Sequence, residues 1–123
     1  MLIRILVASA LIIAFAGPAT AETVVTSPPI WVDPSTQTLR CLFSNLDTKK
    51  AVVAHRYVVD GLGGLFFDST VTLSPEATAS ALFPSAFGVL RCALAGKLSR
   101  KKIAITACAL TGGASDTCVS TGP

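Results

Sequence analysis

Alternation of apolar and polar positions runs through most of the chain. Thr38 to Ser44 puts Leu39, Cys41 and Phe43 on one face and Arg40, Leu42 and Ser44 on the other. That period of two predicts a strand with Cys41 toward the core. Asn45 to Lys50 is a polar turn. Ala51 to Val59, AVVAHRYVV, is β-branched and apolar on both faces, as in a central strand. Val53, His55, Tyr57 and Val59 share one face and Val52, Ala54, Arg56 and Val58 the other; the pattern leaves open which is buried. Asp60-Gly61 opens a hairpin turn. Leu65 to Leu73 follows, with Leu65, Phe67, Val71 and Leu73 on one side and a candidate bulge at Asp68-Ser69. Ser74-Pro75-Glu76-Ala77 reads as a type I turn, Thr78 to Phe83 as the next strand, and Pro84 as its end.

Phe87 to Leu110, FGVLRCALAGKLSRKKIAITACAL, reads as two strands of a hairpin joined by a basic turn, with one cysteine in each strand. Thr111 to Asp116 turns the chain into a last strand, Thr117 to Ser120. Near the start, Glu22 to Ser27 can form a short strand. Pro28 to Pro34 is restricted to an edge or loop, because proline gives no ladder hydrogen bond. Trp31 lies in that stretch and is expected to cover one end of the core; exposed, it would suit stacking on a sugar ring. Seven or eight short strands, with a turn every eight to twelve residues and no helical period, predict an all-β fold. The expected architecture is a single antiparallel β-sandwich, immunoglobulin-like, with a small barrel as the alternative.

The first residues change this picture. Arg4 precedes the apolar run Ile5 to Ala16, Gly17-Pro18 breaks it, and Ala19-Thr20-Ala21 is a small-x-small cleavage signal. The pattern predicts a secretory signal peptide over residues 1–21 and a β-sandwich domain over 22–123. The apolar run is shorter than the roughly 20 residues of a spanning helix. The first cysteine, Cys41, lies far beyond the cleavage site, so a lipoprotein is not expected. The expected location is secreted or periplasmic.

The four cysteines, Cys41, Cys92, Cys108 and Cys118, all follow the leader. An even number in a small exported domain implies two disulfides. A turn over Gly112 to Ser115 sets Cys108 opposite Cys118, which leaves Cys41 with Cys92. Cys92–Cys108 across the basic turn is the alternative. No C-x-x-C spacing exists and His55 is the only histidine, so no metal site and no cofactor are expected.

The order LRCLFSN, then a β-branched strand, TLSPEAT, VLRCAL and KKIAITAC with a last cysteine resembles a group of small secreted bacterial proteins of unknown function. Their middle motif is similar to T-L-x-P-G-x-T; Glu76 stands here where glycine is commoner. The resemblance implies export and a disulfide-bonded β-sandwich, and carries no active-site residues.

Candidate chemistry is sparse. His55 sits in mid-strand without a G-x-S-x-G elbow, and reads as a core or sheet-surface residue. Asp33, Asp47, Asp60 and Asp116 fall in turns or at strand ends, where carboxylates are solvated. Asp68 and Glu76 are a possible acid–base pair. Gly61 to Gly64 lacks the lysine and hydroxyl of a phosphate-binding loop. Of the ten basic residues Arg4 lies in the leader, which leaves nine against seven acidic ones. That balance does not call for nucleic acid. Lys97, Arg100, Lys101 and Lys102, close to Arg91, form the one charge concentration. Such a cluster keeps a turn soluble and blocks edge pairing; as a contact surface it would meet an anionic envelope component or another exported protein. The expected function is therefore a non-catalytic exported binding or envelope-associated module. The alternative is a small secreted hydrolase with a carboxylate pair in a cleft.

Overall fold

A computed structural model describes residues 22–121; the predicted signal peptide lies outside the described residues. Among the described residues nine strands form: β1 Thr23–Thr26, β2 Ile30–Val32, β3 Gln37–Asn45, β4 Val52–Asp60, β5 Leu65–Leu73, β6 Thr78–Phe83, β7 Gly88–Gly96, β8 Ile103–Thr111 and β9 Ala114–Thr121. They make two antiparallel sheets. One has the order β1-β7-β4-β5, with β2 also on β7, and the other β6-β3-β8-β9. The sheets pack face to face as a sandwich, so the barrel alternative is set aside.

The alternating residues decide which face is inside. Leu39, Cys41 and Phe43 of β3 meet Ile103, Ile105, Ala107 and Ala109 of β8 on the inner face of one sheet. Ala54 and Val58 of β4, with Leu90, Cys92 and Leu94 of β7, line the inner face of the other. The open question for β4 is thus settled: His55 and Tyr57 belong to the outward set.

The basic stretch is not a hairpin. β7 and β8 lie in different sheets, and residues 97–102 carry the chain across the end of the sandwich through a single 3-10 turn, Arg100–Lys102. Each strand has an apolar inner face, and placing them on opposite sides lets both faces line one core. Leu98 packs against that core. Gly96 marks the departure; a Cβ there would stand 3.1 Å from the Val53 carbonyl oxygen on β4.

The proline stretch forms an edge, as expected. β1 and β2 pair with successive parts of β7, and Ser27 bridges the gap between them. Its N–H donates to the Cys92 carbonyl at 2.8 Å, and its hydroxyl accepts the Cys92 N–H at 3.0 Å. Trp31 does not cover the core. Ile30 and Val32 point inward and Trp31 is 59% exposed on the outer face, beside Val89.

One turn and one bulge depart from expectation. Glu76 has φ 62°, so Ser74 to Ala77 is a type II turn rather than type I. In β5 the register slips opposite Arg56 to Val58, and Phe67 takes φ 62°. The bulge therefore precedes Ser69 and includes Phe67 and Asp68. It reverses the parity of the strand start, so Phe66 rather than Leu65 joins the core beside Val71 and Leu73. The Phe67 ring reaches Phe83 of the other sheet at 4.9 Å and closes that side of the sandwich.

Both disulfides form as expected. Cys41–Cys92 joins the two sheets through the core, and Cys108–Cys118 joins neighbouring strands β8 and β9.

Candidate functional surfaces

Three connections meet at one end of the sandwich: the β3–β4 turn, the β5–β6 turn and the basic crossover. Leu46 N–H donates to the Lys102 carbonyl at 2.8 Å, and Glu76 N–H to the Asp47 carbonyl at 3.1 Å. Asn45 organises them from beneath. It is buried, and its Nδ2 lies 2.9, 3.1 and 3.2 Å from the carbonyls of Lys50, Leu73 and Ser74. A buried amide that failed to find such partners would cost about 1–3 kcal/mol. From sequence Asn45 was one polar residue in a turn; nothing in its local pattern separates a buried amide from a solvated one.

This stitching places Lys49 and Lys50 at the same end as Lys97, Arg100, Lys101 and Lys102, and all six are exposed. The four residues singled out in the crossover do not have equal freedom. Arg100 donates to the Val24 carbonyl at 2.8 Å and so fastens the crossover to β1. Asp47 lies among the cations. The Lys49 and Lys50 amides, and then the charges of Lys102 and Lys50, hold its carboxyl below the usual carboxylate range. Arg91, in mid-strand on β7, stands apart from this end.

A second feature lies on the outer face of the β1-β7-β4-β5 sheet. An open groove of about 330 Å³ is lined by Glu22, Val24, His55, Tyr57, Leu65, Asp68 and Ala95. Register explains the set: Val24, Ala95 and His55 lie side by side across β1, β7 and β4. The bulge in β5 turns Asp68 onto the same face, where its Oδ1 is 3.2 Å from His55 Nδ1. Burial, then the charges of Asp68 and Glu22, raise the Tyr57 phenol above its ordinary value. His55 is therefore a sheet-surface residue with a carboxylate partner, one that a bulge supplies and strand parity could not foresee.

Glu22 and Asp68 share this groove, whereas Glu76 stands in the turn at the basic end, so the suggested Asp68–Glu76 pair does not come together. The groove lies open, and His55 and Asp68 are both more than half exposed. Among the described residues no group of three or more His, Cys, Asp or Glu side chains is placed to hold a metal ion. No protein-family model, curated protein or solved structure matches the chain.

Proposed function

We propose that this protein is an exported, non-catalytic binding module that meets an anionic envelope component through its basic end. The observation that carries the reading is the Leu46–Lys102 hydrogen bond, which merges two lysine-bearing connections into one surface. Six cations share that end with the carboxylates of Asp47 and Glu76. The resulting field is positive and acts over about 8 Å at physiological ionic strength. Two disulfides in so small a chain support an oxidising compartment. An immunoglobulin-like relationship is supported by one feature, the bridge between strands of opposite sheets.

The hydrolase alternative finds two carboxylates in one groove, but in an open one. Acid–base catalysis draws on water exclusion, which a solvated surface groove does not provide.

The test replaces Lys49, Lys50, Lys97, Lys101 and Lys102 with Ser and keeps Arg100 for its bond to β1. Retention on phosphatidylglycerol vesicles and on an acidic polysaccharide is measured at low and high salt. The native protein is expected to be retained at low salt on one of the two and released at high salt, and the variant to be lost from both. Equal retention of the two proteins, or no salt-dependent retention of the native one, refutes the reading.

A further inference from the structure

The two disulfides differ in surroundings. Cys41 and Cys92 are fully buried, while Cys108–Cys118 lies on the outer face of the β6-β3-β8-β9 sheet. Cys108 is 3% exposed and Cys118 is open to solvent on β9. Among the described residues β9 is an edge strand, paired with β8 alone. The register sets one residue from each strand in a row across this face: Leu82, Arg40, Cys108 and Cys118. Directly opposed side chains on one sheet face have Cβ atoms about 4.5–5.5 Å apart. Arg40 Nε is buried and has no hydrogen-bond partner. A cationic residue directly across from one cysteine of a disulfide, with the other cysteine exposed, favours one direction of cleavage.

We propose that Cys108–Cys118 is a thiol–disulfide exchange site, attacked at Cys118, with Arg40 stabilising the Cys108 thiolate that leaves. The co-reactant is an external thiol that has lost its proton to solvent. Its thiolate forms a bond to Cys118 Sγ as the Sγ–Sγ bond breaks, and the electron pair of that bond departs on Cys108. The incoming sulfur is oxidised to the mixed disulfide and Cys108 is reduced. Attack by the Cys108 thiolate on Cys118 reverses the step and releases the thiol. A lower leaving-group pKa speeds such exchange, and a neighbouring guanidinium lowers a thiol's pKa. Arg40 acts here as a positioning residue, through the charge it carries on the position across from Cys108. It is the charged residue on the outward positions of β3, β6 and β8; along β9, Asp116 lies two residues from Cys118.

The test treats the oxidised protein with reduced glutathione, and separately with a small dithiol protein of thioredoxin type, and maps the peptides without further reduction. Glutathione is expected on Cys118, with Cys108 free and Cys41–Cys92 intact. Faster exchange with the dithiol protein assigns a protein thiol as the co-reactant, and equal or slower exchange assigns a small one; both support the site. Arg40→Gln is expected to slow exchange roughly three- to tenfold, and Arg40→Lys to restore most of the rate. In Cys118→Ser, Cys108 is free, and the pH profile of its alkylation by iodoacetamide should show a pKa below the ordinary thiol value of about 8.5. Adding Arg40→Gln should raise that pKa, a readout that altered packing alone does not predict. Addition at Cys108, earlier opening of Cys41–Cys92, or an alkylation profile indifferent to Arg40 overturns the proposal.

Discussion

Glu76 shows how one side chain can oppose the turn it occupies. Position 76 follows Pro75 in a type II turn and needs positive φ, which costs a residue with a Cβ about 1–2 kcal/mol. Glycine adopts that conformation freely, but gives back part of the gain as greater freedom in the unfolded chain. Glu76 is exposed, and its backbone N–H rather than its carboxylate makes the bond to Asp47. Glu76→Gly is therefore expected to stabilise the protein by about 0.5–1 kcal/mol, seen as a rise of a few degrees in Tm. An unchanged or lower Tm would show that the carboxylate has a role at the basic end. The proline was visible in the sequence, and with it the turn. The turn type was not, because β5 and β6 belong to different sheets, and the connection between them, bonded to Asp47, takes a conformation the residue itself disfavours.

At the scale of elements, the β1–β2 edge depends on one hydroxyl. Two prolines interrupt the strand, and the Cys92 N–H at that point has the Ser27 hydroxyl as its acceptor. Replacing Ser27 with Ala leaves that buried donor unpaired, at about 1–3 kcal/mol. Urea denaturation of Ser27→Ala should show a lower midpoint with an unchanged slope. A midpoint equal to that of the native protein would mean that the backbone shifts to find another acceptor. The β5 bulge has the same character. It sends Phe67 toward Phe83 and Asp68 toward His55, so one extra residue both closes the side of the sandwich and completes a surface groove.

For the whole molecule the disulfides do different work. Cys41–Cys92 closes a separation of 51 residues and Cys108–Cys118 one of 10. By loop-closure entropy these correspond to about 4 and about 3 kcal/mol. The first also lies in the core, where removing it leaves a cavity as well. The double substitution Cys41→Ala and Cys92→Ala is thus expected to lower stability more than Cys108→Ala with Cys118→Ala, by thermal or urea unfolding of the two variants. The reverse order would show that the β8–β9 staple, rather than the bridge between sheets, limits unfolding.

The sequence by itself determined the strands, because a period of two and its punctuating prolines and glycines are local properties. It favoured both disulfide pairs, since a short turn sets Cys108 opposite Cys118 and leaves the other two, but the Cys92–Cys108 alternative fell only when β7 and β8 parted into different sheets. Only the tertiary structure decided that β7 and β8 part into different sheets. Two adjacent apolar strands with a break between them look alike whether they pair or face each other across a core. Trp31 turned outward for a related reason: Ile30 and Val32 on either side of it claimed the interior. The proximity of Lys49 and Lys50 to the basic crossover, the His55–Asp68 contact and the row Arg40–Cys108–Cys118 all depend on register between strands distant in sequence. Register is set by how the apolar faces of both sheets fit together, a property of the assembled sandwich.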